Sequence, residues 1–101
     1  MPMETLITMR IVDFKFSTAD YDPNRPLFLA HPENNQPVTD LTQQANTHQL
    51  ILNTGTGRPL TLDQFNARTQ KLPGSWRITT VTPTARELFG YRLVDEQIVF
   101  M

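Results

Sequence analysis

The chain has 101 residues and a net charge of −1, enough for one domain with one modest core and without the basic excess of a nucleic-acid-binding domain. It contains no cysteine, which excludes disulfide frameworks, zinc fingers, iron–sulfur clusters and thiol catalysis. No apolar run approaches the length of a membrane span, and the N-terminus MPMETLITMR lacks the basic-then-apolar order of a secretory signal, so a cytoplasmic protein without membrane contact is expected.

Residues 5–16, TLITMRIVDFKF, read as the first strand. Ile7, Met9 and Ile11 alternate on one face, and Val12, Phe14 and Phe16 alternate in the opposite phase. The slip between Ile11 and Val12 implies a β-bulge or a strand buried on both sides. STADYDPNRP (17–26) is a loop dense in Asp, Asn and Pro, LFLAH (27–31) a short strand, and PENNQP (32–37) a second loop. In residues 38–49, Val38, Leu41 and Ala45 stand at helical spacing, which predicts a short helix, although the Thr and Asn content is poor for one.

LILN (50–53) reads as a strand and TLDQFNARTQK (61–71) as a helix that stops before Leu72–Pro73. WRITTV (76–81) is a strand. TPTARELFG (82–90) carries a helix's punctuation: Thr82 to cap, Pro83 at the first helical position and Gly90 at the end. YRLVDEQIVFM (91–101) is either one bent edge strand or a tight hairpin. Its uncharged tail QIVFM (97–101) should be covered, with pairing beside residues 5–16 favoured. The order predicts a single α+β domain over 1–101: a small, mostly antiparallel sheet of about five strands, with two to three short helices on one face.

The stretch LILNTGTGRPLTLDQF (50–65) raises the question of a phosphate cradle. TGTGRP matches neither G-x-G-x-x-G nor G-x-x-x-x-G-K-[ST]. Thr61 and Gln64 form a T-x-x-Q capping box, and Leu60 and Phe65 are placed as its hydrophobic staple. The box consumes N–H groups that an anion would need, so the glycines read as a turn.

Other candidate chemistry is sparse. His31 lies near Asp20, Asp22, Glu33 and Asp40 in sequence, which makes a ligand pocket or catalytic cluster around His31, Asp20, Asp22 and Asp40 conceivable. Neither it nor His48 has a metal-ligand spacing. Ser17 and Ser75, the only serines, lack a nucleophile motif, and DYD (20–22) lacks the remainder of a calcium loop. No cofactor and no metal is expected. The one constellation with a binding character is Arg58, Arg68, Lys71, Trp76 and Arg77. Basic residues interleaved with an aromatic can hold phosphates and stack bases, although Phe65 belongs to the helix's core face and Lys71 suits a helix C-terminus.

Three functions are thus in view. The favoured one is a small non-catalytic interaction module that contacts a protein partner or forms a homodimer. The alternative is nucleic-acid binding through Arg58, Arg68, Trp76 and Arg77. The third is a small-ligand binder or enzyme around His31.

Overall fold

A computed structural model describes residues 8–81 and 84–101. In chain order these form α1 (Ile11–Ser17), β1 (Leu27–Leu29), β2 (Gln36–Gln44), β3 (Gln49–Thr54), α2 (Leu62–Thr69), β4 (Arg77–Thr80), β5 (Arg86–Glu87), β6 (Tyr91–Val94) and β7 (Gln97–Phe100). A strand that returns to its sheet through a helix returns parallel, and β3–α2–β4 does so, with Gln49 beside Arg77 and Leu52 beside Thr80. The second parallel pair joins β1 to β7, Leu27 beside Ile98. The remaining pairs are antiparallel.

The sheet order is β5-β4-β3-β2-β1-β7-β6. Its two outermost strands are consecutive stretches of one segment, 86–94. The Leu88 N–H donates to Ile78 O on β4, whereas the Phe89 N–H donates to Met101 O beyond β7, and Gly90 O accepts from Met101 N–H. The sheet is therefore curled, and Leu88–Phe89–Gly90 bridges its two ends. Phe89 and Gly90 both face Met101, which is a bulge. Met9–Ile11 takes over the edge of β4 where this segment leaves it: Met9 O accepts from Ile78 N–H, and Ile11 N–H donates to Trp76 O.

The interior is apolar, and Phe14 stands at its centre. Its ring meets Phe65 of α2 at 5.0 Å, Phe100 of β7 at 5.0 Å and Tyr91 of β6 at 5.4 Å. Phe14, Phe65 and Phe100 are fully buried, as are Leu27, Val38, Leu50, Leu52, Ile78, Leu88 and Ile98. Each such side chain contributes about 1.5–3 kcal/mol by leaving water.

This architecture corrects the expected one. The sheet is mixed and has seven strands among the described residues, not a mostly antiparallel five, although α+β describes the composition. Residues 11–17 are helical, not the second half of a strand. The phase slip at Ile11–Val12 marks the point where an extended stretch ends and a helix starts. Ile11 and Phe14, three apart, are buried, while Val12 and Phe16 face outward.

Residues 36–44 are a strand, not a helix. The register of β2 against β3 shifts between Val38 and Asp40. The extra residue puts Val38 and Leu41 on the same face at a spacing of three, and this bulge mimics a helical period. The helix expected over 82–90 is absent from its described part. Arg86–Glu87 pairs with β4, and neighbours Leu88 and Phe89 point opposite ways, one buried and one exposed, as in a strand. Thr82 and Pro83 lie outside the described residues.

The C-terminal stretch is a hairpin, with Val94 paired to Gln97 across Asp95–Glu96. Its second strand lies between β1 and β6, not beside the described part of residues 5–16; of that part, α1 touches it through Phe14.

Candidate functional site

Whether residues 50–65 cradle a phosphate is decided by where the backbone donors go. The Thr61 hydroxyl accepts from Gln64 N–H at 3.2 Å, and Gln64 Oε1 accepts from Thr61 N–H at 3.0 Å. Leu62 N–H donates to Arg25 O and Asp63 N–H to Pro23 O, both at 2.9 Å. Every N–H from Thr61 to Gln64 has a protein acceptor, so the helix start offers none to an anion.

The basic residues do not share one face. Gln49 and Arg77 begin the parallel strands β3 and β4 side by side, whereas Arg58 follows the far end of β3, about 17 Å of strand away. Arg68 on α2 is 2.9 Å from Asp40 on β2, and Arg77 is 3.9 Å from Glu87 on β5. Both are surface pairs, worth about 0–1 kcal/mol. Lys71 follows α2 and is exposed. Trp76 is 7% exposed and belongs to the core, and the exposed His48 ring lies stacked across it at 6.0 Å. It is not an open platform for a base.

The His31 neighbourhood is also dispersed. Asp20 and Asp22 precede β1 and His31 follows it. Asp22 accepts from Asn24 N–H at 2.9 Å, a turn cap, and Asp40 is committed to Arg68. The half-buried His31 has its Nδ1 enclosed without a hydrogen-bond partner among the described residues. No group of three or more His, Asp or Glu side chains among the described residues could hold a metal ion.

What the fold does assemble is a cleft of about 660 Å³ between the N-terminal end of the described chain and β6. Thr8–Arg10 forms one wall, Phe89–Tyr91 the other, and Asp13 and Ser17 of α1 the roof. Asp13 and Arg10 satisfy each other through bonds of 3.0 Å from Nε and from Nη2. The Arg10 hydrogen bonds hold the Asp13 carboxyl below its ordinary range, and Asp13 raises the guanidinium in turn. On the other side, the Tyr91 hydroxyl donates to Ser17 Oγ at 2.9 Å and stands 3.4 Å from the Tyr21 hydroxyl. That contact with Tyr91, followed by loss of hydration, raises Tyr21 above its usual value, so the Tyr21 hydroxyl stays protonated at neutral pH. The Ser17, Tyr21 and Tyr91 hydroxyls can each donate and accept hydrogen bonds.

Large apolar side chains are exposed on the segments that carry the cleft residues. Phe16, next to Ser17, is 85% exposed, and Phe89 in the cleft wall is 54% exposed. Leu93 and Met101 are also exposed. Sequence reading places Phe16 inside a strand and so misses it. A helix beginning at Ile11 would have set it opposite Phe14 and Ile11, at the outer pole of the wheel. Two further hollows carry less character. One of about 390 Å³ lies beside β3, β4 and β5. The other, about 460 Å³, lies between α1 and α2, where burial lowers the Lys15 amine.

Among the described residues no helix is long and apolar enough to cross a membrane. Comparison of the chain with known proteins gave no match to a family model, a curated protein or a solved structure.

Proposed function

We propose that this chain is a non-catalytic interaction module that grips another protein chain with the surface formed by α1, the cleft and β6. The observation that carries the reading is Phe16. A phenylalanine left 85% exposed on a folded helix forgoes about 1.5–3 kcal/mol that burial against a partner would return. Phe89 in the cleft wall and Leu93 on β6 are further exposed apolar side chains, and the hydroxyls of Ser17 and Tyr91 supply polar contacts. The fixed Arg10–Asp13 pair gives the rim charge without leaving either group unpaired.

The test is selection of a displayed random-peptide library on the immobilised chain. Binders should be enriched, and most should lose the chain when Phe16→Ser or Phe89→Ser is introduced. Both residues are exposed, so these variants should melt at the wild-type temperature. Enriched peptides indifferent to both substitutions would remove this surface from consideration.

A further inference from the structure

The interaction surface includes a strand edge whose hydrogen-bonding groups are unclaimed among the described residues. β7 directs its Ile98 N–H to Pro26 O and its Phe100 O to Ala30 N–H, both toward β1. Residues 98 and 100 therefore face away from β6, and their cross-strand partners Leu93 and Tyr91 form the non-hydrogen-bonded pairs of that ladder. The N–H and C=O groups of Tyr91 and Leu93 point outward. The cleft opens at the start of this edge, between Thr8–Arg10 and Gly90–Tyr91.

The side chains say what would fit. Tyr91 and Leu93 lie on the face of Phe100 and Ile98, toward the apolar side, whereas Arg92 projects from the other face beside Val99. Arg92 is exposed and has no ion pair among the described residues. A second copy of the chain meets a charge penalty in the register that uses both Tyr91 and Leu93 reciprocally. The symmetric register that exchanges bonds between Tyr91 and Leu93 sets Arg92 directly opposite its own copy, and like charges in that position repel.

We propose that β6 receives an extended segment of a different protein as an added strand, with an acidic residue beside Arg92 flanked by apolar residues beside Tyr91 and Leu93. This rests on the interaction-module reading above. Backbone bonds to Tyr91 and Leu93 supply the alignment, and the apolar–acidic–apolar alternation supplies the selectivity. Arg92 then has two roles: it discourages self-pairing and it selects the partner's charge.

The experiment uses the full chain and two capped synthetic peptides, Thr-Thr-Val-Glu-Val-Thr-Thr and the same sequence with Lys in place of Glu. Affinity is read by fluorescence anisotropy, and the contact by amide exchange and amide shifts. The Glu peptide should bind wild type about tenfold more tightly than the Lys peptide, and Arg92→Glu should reverse the preference. The amides of Tyr91 and Leu93 should become protected. Equal affinity for the two peptides, or no protection at those amides, overturns the proposal. If shifts then cluster at Phe16 and Phe89, the interaction surface stands and strand addition alone has failed. Concentration-dependent protection of Tyr91 and Leu93 without peptide assigns the edge to a second copy. Tighter binding by a chain beginning at Thr8 assigns it to the chain's own first residues. Either result overturns the proposal.

Discussion

Thr61 and Gln64 cap one another, hydroxyl to N–H at 3.2 Å and amide oxygen to N–H at 3.0 Å, and this reciprocal pair begins α2. Thr61→Ala removes the acceptor for Gln64 N–H and should cost about 1 kcal/mol, measured by urea unfolding. Because the neighbouring donors are already engaged, added phosphate should stabilise wild type and variant equally or not at all. A phosphate-dependent rise in melting temperature, lost when Gly57 is replaced, would restore an anion site to this loop.

The turn of the C-terminal hairpin is strained. Asp95 and Glu96 have φ of 50° and 69°, the left-handed values of a two-residue hairpin turn that prefers Asn-Gly. Glu has no local compensation for that backbone. Glu96→Gly should therefore stabilise the domain by about 1 kcal/mol, raising the denaturation midpoint without changing its slope.

Gly74 is required by proximity. A Cβ there would stand 2.8 Å from Val12 Cβ, while the Gly74 carbonyl accepts from Val12 N–H at 2.9 Å and keeps the two segments from separating. Gly74→Ala should cost about 1–3 kcal/mol. Adding Val12→Gly removes the obstructing Cβ itself from a half-exposed site, so the double variant should lose less than the sum of the two single variants. Strictly additive losses would mean that the contact does not limit this position.

What the sequence exposes and what it hides divides along one line. α2 is legible because its signals are local: the capping box, the staple and the proline that ends it all lie within the segment. β1, β3 and β4 are legible as short apolar runs. The misread elements owe their state to distant partners. Helix α1 is held by Trp76 and Gly74 carbonyls that accept its first N–H groups, more than sixty residues along the chain. Residues 86–90 are drawn from helical punctuation into a strand by β4 and Met101. The cleft follows the same rule. Neither Phe16 nor Tyr91 announces itself, and the site arises where the curled sheet brings β6 beneath α1.

The hydroxyl contacts of the cleft set an alkaline limit. Tyr21 titrates above its ordinary value of 10.0, chiefly through its hydrogen-bonded contact with Tyr91. A group whose pKa is raised by folding contributes stability that is complete below the unfolded pKa and is lost as pH rises through the folded one. The Tyr21 contribution to stability should therefore be constant below pH of about 10 and decline above it. Tyr91→Phe keeps the ring against Phe14 and deletes the hydroxyl. It should move the tyrosinate absorbance of Tyr21 to lower pH. An unchanged titration would mean that the two hydroxyls are not coupled.

The last prediction concerns β7, where the apolar tail becomes structure. Ile98, Val99 and Phe100 are all fully buried, and the strand lies between β1 and β6, bonded on both sides. Phe100 also completes the aromatic centre, its ring 5.0 Å from Phe14. Phe100→Ala should cost about 3–5 kcal/mol, the usual penalty for emptying a buried aromatic site. A domain of this size has about 5–15 kcal/mol in all, so the variant should fold but melt far lower. Removing residues 98–101 takes away three buried side chains and strands the edges of both β1 and β6. The loss exceeds what the remaining fold can supply, and a chain ending at Gln97 should show no cooperative melt by circular dichroism. A truncated chain that melts at the full-length temperature would mean that β7 is a dispensable addition to a core formed without it, and the central place given to Phe14 and Phe100 would be wrong.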